Sequence, residues 1–145
     1  SNLPVEAIEM EYPLRVEEYS LVEDSGGAGK YRGGMALRRV VRPIGHDCLF
    51  NGAGERFSHQ PWGLQGGKPG ASGRFVLEGG AMAPRRLDDK PSGVMVSPDQ
   101  RIVVETPGAG GWGDPSERDR AALDEDRVSG KFTDEYMKAN YGKDE

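Results

Sequence analysis

The sequence predicts a mainly β domain, an antiparallel sandwich or barrel-like body with two short C-terminal helices. Three observations carry that reading. Short runs alternate apolar and polar residues, as half-buried strands do. Stretches dense in glycine and proline separate those runs. After Pro115 glycine becomes rare, charge rises, and capping residues precede two helical patterns. Residues 1–115 form the glycine-loop-rich β part. Residues 116–145 form a helical pair docked on it, the whole being one structural unit.

Leu3 to Met10 has Pro4 near its start and then Glu, Ala and Met, which suits a single helical turn. Tyr12-Pro13 ends it. Leu14 to Val22 alternates, but its phase slips at Glu17-Glu18, which predicts a strand with a bulge. Ala36 to Arg42 is a second strand, stopped by Pro43, and the two form a hairpin over 14–42. Asp47 to Asn51 is a short third strand. Residues 52–70 make a long irregular loop, in which Phe57 and Trp62 argue for order because aromatics bring large buried area. Gly73 to Glu78 is a strand, and Ala81 to Pro91 reads as a polar segment broken by Pro84. Gly93 to Ser97 and Gln100 to Thr106 are two more strands, joined by a type I turn at Ser97-Pro-Asp-Gln100. Ser116 or Asp119 starts a helix that ends at Gly130. Thr133 caps a second helix, ended by Gly142. The apolar surface of this pair suffices for docking on a body and not for standing alone.

Three glycine blocks organise the chain: Glu23 to Gly34, Pro61 to Gly70, and Thr106 to Pro115. In the first, five of the chain's 22 glycines lie within twelve residues. Such density permits an anion-binding concavity of backbone N–H groups. It equally permits a long hairpin loop using several positive-φ positions. The three blocks are expected to be loops of one site or scaffold, not a solenoid. A formal charge of −5 and a pI near 5.1 lack the basic footprint of a nucleic-acid binder. The hydrophobic fraction is 35%, lean for an independent core, so a larger assembly is expected. The single Cys48 excludes an internal disulfide and fits a reducing compartment. No run has the roughly 18 apolar residues of a membrane helix, and the N-terminus lacks a secretory pattern. A cytoplasmic location is the expectation.

The motifs Pro4-Val-Glu6, Tyr12-Pro-Leu-Arg-Val16, Asp24-Ser-Gly-Gly-Ala-Gly29 and Tyr31-Arg-Gly-Gly34 resemble the hydantoinase B/oxoprolinase family. Pro61-Trp-Gly-Leu-Gln-Gly-Gly67 with Pro69-Gly70, and Thr106-Pro-Gly-Ala-Gly-Gly-Trp-Gly-Asp-Pro115, follow in the family's order. Ala109 stands where a further glycine is expected, which a negative φ would tolerate. The resemblance runs from Asn2 to Gly142 and corresponds to the C-terminal part of a longer subunit. The chain opens on Ser1 and not on Met, so a processed product or a part of something larger is expected, with Ser1 and Asn2 as candidate tag residues; a separately encoded C-terminal piece is the alternative to a domain of the longer subunit.

The resemblance implies ATP-dependent hydrolysis of cyclic amides of the hydantoin and 5-oxoproline type. An A-type ATP-binding subunit would activate the substrate oxygen by phosphorylation. It allows a related ketone carboxylation (acetone or acetophenone), and a non-catalytic interaction module is the third alternative. It further implies that this chain binds no cofactor itself. ATP and a divalent metal belong to the A-type partner or to the N-terminal part of the B subunit, in a hetero-oligomer.

Among side chains, Asp24, Arg32, Glu55, Arg56, His59 and Trp62 are the candidates for substrate or interface loops, with no residue assigned a catalytic role. Arg32 and Arg56 offer guanidinium forks for an anion, and Glu55-Arg56 equally forms an ion pair that fixes its loop. His59 stands in the long loop 52–70, near Trp62 and Arg56. His46, in a Gly-His-Asp turn, reads as a solvated surface residue. His46 and His59 match no closed zinc motif, and no metal site is expected. Ser25 lacks the strand-to-helix elbow of a serine nucleophile. The block at 108–114 lacks the Gly-Lys-[Ser/Thr] of a phosphate loop, and Pro115 intervenes before any helix. The charged residues of 116–128 read as a solvated helix face.

Overall fold

The computed structural model describes residues 3–142. Helix α1 spans Val5–Glu11, about two turns where one was expected. The strands are β1 (Leu14–Leu21), β2 (Leu37–Pro43), β3 (Cys48–Phe50), β4 (Arg74–Gly79), β5 (Met82–Arg86), β6 (Val94–Val96) and β7 (Gln100–Glu105). A 3-10 turn, Pro115–Glu117, precedes α2 (Arg120–Val128) and α3 (Asp134–Tyr141). Five strands make an antiparallel sheet in the order β1-β2-β7-β4-β5, and β3 pairs with β6. The mainly antiparallel architecture with helices near the C-terminus is the one expected. The slip at Glu17 is a register shift between Val16 and Glu18. The Ser97–Gln100 turn closes with a 2.9 Å bond from the Gln100 N–H to the Ser97 carbonyl.

One strand lay outside the sequence reading. Met82–Arg86 pairs with β4 despite Pro84. It is an edge strand exposed along its whole length, where a residue without an N–H is tolerated. Gly79 and Gly80, at φ of 97° and 65°, turn the chain into it.

The small sheet covers one face of the large one. Phe75 and Leu77 of β4, Ile102 of β7 and Val96 of β6 are buried with Phe57 and Leu87, and Phe50, Val94 and Val104 pack around them. Phe75 stacks edge-on to Phe50 at 5.3 Å and tilts against Phe57 at 4.7 Å. On the other face, strand register sets Ser20, Arg38, Glu105 and Arg74 in one row across four strands. The buried Glu105 carboxylate accepts from Arg38 Nη1 at 2.5 Å, from Arg74 Nε, and from Arg74 Nη2 at 3.1 Å. The next row holds Val40, Val103 and Val76. Val40 and Val103 are buried. Register sets arginines beside this valine stripe, and their long aliphatic stems are suited to shielding it.

The glycine blocks build a second core almost without side chains. The segment 108–113 runs through its middle. Gly108 N–H donates to Ala71 O at 3.0 Å, Ala109 N–H to Gly34 O at 2.9 Å, and Gly111 N–H to Lys68 O at 2.9 Å. Trp112 N–H donates to Tyr31 O at 2.8 Å. In return Gly27 N–H donates to Ala109 O at 2.8 Å and Leu64 N–H to Gly111 O at 2.9 Å. All three blocks therefore meet as hydrogen-bonded rods.

Left-handed backbone is not the reason for most of these glycines, contrary to the hairpin reading. In the first block the only positive φ belongs to Asp24, at 58°. What excludes a side chain is proximity. A Cβ on Gly33 would strike Ala109 O, on Gly108 Ser25 O, on Gly110 Trp62 O, and on Gly111 Ala28 O, each closer than 3.0 Å. There the glycine hydrogen faces a carbonyl oxygen, a weak C–H···O contact repeated along the rods. Ala109 sits outside the positive-φ set, so its methyl is accommodated.

Two outcomes follow. Gly108→Ala should destabilise by about 3 kcal/mol or prevent folding, because rigid backbone surrounds the site. Gly34→Ala, where nothing lies within 4 Å, should be neutral or stabilising by up to about 1 kcal/mol. Equal melting temperatures for the two variants would contradict this packing. For Glu105, burial alone would raise the pKa, but the hydrogen bonds from Arg74 and Arg38 outweigh it and hold it below 4.5. A depressed folded-state pKa contributes stability above the unfolded value, and that contribution is lost as pH falls through the folded value. Glu105→Gln should therefore cost about 2 kcal/mol at neutral pH, and the difference from the parent should shrink below pH 4.5 in chemical denaturation.

Candidate functional site

The C-terminal helices clamp one side of the glycine rods, and two of the sequence-derived candidates serve there. Asp24, at the start of the first block, accepts from the Thr133 N–H at 2.8 Å and the Thr133 hydroxyl at 2.7 Å. Its own N–H donates to Lys131 O at 3.0 Å. Thr133 in turn caps α3 by accepting from the Tyr136 N–H. Arg32 Nε donates to Asp126 Oδ1 at 2.7 Å, and Arg118 Nη2 donates to Asp126 Oδ2 at 2.6 Å. Asp126 is only 2% exposed, a buried carboxylate shared by two guanidinium groups. The segment 116–128 is thus not uniformly a solvated face: its Arg118 and Asp126 are inward-facing partners. Arg118 Nε is buried without a hydrogen-bond partner among the described residues.

Two tyrosines of α3 complete the clamp. Tyr136 donates its hydroxyl to Gly26 O at 2.9 Å, and the Tyr141 hydroxyl accepts from the Gly29 N–H at 3.1 Å. Burial pushes the Tyr136 phenol up to about 12, so it remains a donor at neutral pH. Phe132, fully enclosed, stacks on Tyr136 at 4.6 Å.

Elsewhere on the rods a row of aromatic side chains stands in solvent. Tyr31 and Trp112 pack at 5.7 Å between ring centroids, and Trp112 is bridged through its backbone to both Tyr31 and Leu64. Two residues before Leu64 comes Trp62, whose ring lies under the Arg56 guanidinium at 4.1 Å. Trp62 is 59% exposed, Trp112 48%, and Tyr31 and Leu64 are similarly open. Glycine neighbours have no side chains to cover them. Trp, Tyr and Arg dominate the energetics of protein interfaces, and clustered exposed apolar groups mark such surfaces.

The six candidates therefore divide. Arg56 and Trp62 belong to the aromatic row. Glu55, Arg56 and His59 line a neighbouring open cavity of about 520 Å³ with Asp89 and Lys90. Glu55 lies 3.8 Å from Lys90, both well exposed, a pairing worth little in water. Asp24 and Arg32 face the helical clamp instead. Sequence reasoning passed over Tyr31, Leu64 and Trp112 as site residues. The available signal was a bulky side chain flanked by glycines, most plainly at Gly110-Gly-Trp-Gly113. Among the described residues no cluster of three His, Cys, Asp or Glu side chains converges as a metal site. Likewise none of their helices is long and apolar enough to cross a membrane. What this surface can do chemically is bind another polypeptide through rigid, pre-positioned aromatic anchors.

Comparisons with known proteins place the chain in a family. The family model for hydantoinase B/oxoprolinase matches residues 1–115. The chain is 44% identical to an uncharacterised protein of Methanocaldococcus jannaschii over 86% of its own length and 22% of that protein's. It is 32% identical to the caprolactamase subunit beta of Pseudomonas jessenii, over 95% of this chain and 24% of that subunit. The crystal structure of the ATP-dependent caprolactamase from Pseudomonas jessenii superposes with a TM-score of 0.80, at 26% identity over 96% of this chain and 24% of that one. Acetone carboxylase, at 23% identity and a TM-score of 0.78 over 97% of this chain and 23% of that chain, shares the fold. The chain thus spans less than a quarter of the length of these relatives. On the family match, it belongs to the hydantoinase B/oxoprolinase family.

Proposed function

We propose that the chain is the C-terminal domain, or a separately encoded small subunit, of an enzyme that opens cyclic amides at the expense of ATP. An A-type subunit supplies ATP binding and phosphorylates the substrate oxygen. The N-terminal part of the B subunit handles the activated intermediate, and a divalent metal belongs to one of those two parts. This chain contributes framework and interface, in a cytoplasmic hetero-oligomer. The observation that carries the reading is the exposed row Tyr31, Trp112, Leu64 and Trp62, carried on backbone segments packed against one another without intervening side chains. Pre-positioned aromatics lose little entropy on association. Membership in the family supports the amide chemistry, and caprolactamase and hydantoinase subunits among the relatives agree with it. Ketone carboxylation is a second reading, supported by the shared fold of acetone carboxylase.

The test is reconstitution. The purified chain alone should turn over neither ATP nor a hydantoin. Adding the A-type subunit and the N-terminal part of the B subunit should restore substrate-dependent ATP hydrolysis. Trp62→Ala with Trp112→Ala should weaken assembly about tenfold or more while the melting temperature stays near the parent's. Turnover by the isolated chain, or assembly indifferent to both substitutions, would overturn the proposal.

A further inference from the structure

Where the large sheet meets the glycine rods there is a second cavity, of about 270 Å³, none of whose lining residues belongs to the aromatic row. Its lining includes Ser72, Arg74, Arg86, Glu105 and Thr106. Register explains why these side chains converge. Arg74 faces Glu105 directly across β4 and β7, and Arg86 faces Val76 across β4 and β5. Arg74 and Arg86 are therefore diagonal neighbours on one face, about 7–8 Å apart at their roots and within reach of a common ligand.

The hydrogen-bond inventory of this cavity is unbalanced. Glu105 is its only carboxylate and is already engaged by Arg38 and by two nitrogens of Arg74. Arg74 Nη1 has no hydrogen-bond partner among the described residues. Arg86 makes one long contact, Nη2 to Phe57 O at 3.5 Å, and pairs with no carboxylate among the described residues. The Thr106 hydroxyl accepts from the Leu37 N–H at 2.9 Å and retains its own hydrogen. Ser72 has no hydrogen-bond partner among the described residues. Two arginines, Arg74 and Arg86, line the cavity against the one carboxylate of Glu105, and Arg38, outside the lining, pairs with Glu18 as well as with Glu105, so the cavity keeps a net positive charge in a chain whose net charge is −5.

We propose that this cavity is a binding site for a small oxyanion, a carboxylate or phosphate group. Arg74 and Arg86 grip its oxygens, and the Ser72 and Thr106 hydroxyls complete its shell. Glu105 acts as a positioning residue: its two bonds to Arg74 hold that guanidinium in one orientation. Planar forks of this kind suit carboxylate and phosphate oxygens. The volume admits a group of a few heavy atoms and not a nucleotide. Because both arginines are solvent-accessible, binding is weak and sensitive to salt. None of these residues belongs to the aromatic row, so this site and the assembly reading stand or fall separately.

The test is an NMR titration of the purified protein at low ionic strength with inorganic phosphate and, separately, with acetate. The amide signals of Ser72 and Thr106 should shift saturably in the millimolar range with at least one of the two, and added chloride should weaken the response. Arg86→Gln should weaken it about tenfold or more, and Arg120→Gln on α2 should leave it unchanged. Arg86 makes one long backbone contact, so its substitution should leave the fold intact even if Arg74→Gln does not. A titration that leaves Ser72 and Thr106 unmoved, or that is insensitive to Arg86→Gln, would overturn the site. So would a response centred on the C-terminal helices.

Discussion

The close approach of one backbone to another is the constraint on which this molecule depends. At Gly33, Gly108, Gly110 and Gly111 a carbonyl oxygen occupies the space a Cβ would need. The rods draw their cohesion from peptide hydrogen bonds and from contact along bare Cα atoms. Ordinary cores offer many combinations of side chains with the same total volume, and substitutions can compensate one another. Here almost no volume remains to exchange, and a single methyl group meets rigid backbone.

That constraint orders the rest of the structure. A bundle of peptide groups has little apolar surface of its own, so its flank must be closed from outside. The C-terminal segment does this with tyrosine hydroxyls, the enclosed Phe132 ring and the Asp126 carboxylate, and Asp24 of the first block reaches back to Thr133. The large sheet is treated similarly, its outer valines bordered by arginines that Glu105 draws into register. Both devices explain how a chain with a modest hydrophobic fraction sustains a defined fold. In each, a buried carboxylate collects two guanidinium groups, and such pairs are strongly destabilising to break from one side.

Much of this was legible in the sequence and some was not, for identifiable reasons. Alternation disclosed the strands of the large sheet, including the bulge at Glu17, because one face packs on the core. It did not disclose Met82–Arg86, since a strand exposed on both faces has no apolar period to read. Glycine density disclosed that three segments were special. Their spatial union was expected, but the reason for glycine was not, because composition cannot separate left-handed φ from crowding. Of the site, Trp62 and Arg56 were identified as singular residues in a loop. Tyr31 and Trp112 were not, since their significance lies in what fails to cover them. The buried roles of Asp126 and Arg118 were hidden because in sequence they are indistinguishable from a solvated helical stripe.

The glycine rods also bear on how the protein responds to temperature. Unfolding a hydrocarbon core raises the heat capacity, whereas exposing peptide groups lowers it. A molecule that devotes part of its interior to bare backbone therefore releases a mixture in which the two contributions partly cancel. Its stability curve is accordingly flatter than that of a side-chain-filled domain of equal length, with gentler losses toward both the cold and the warm limits.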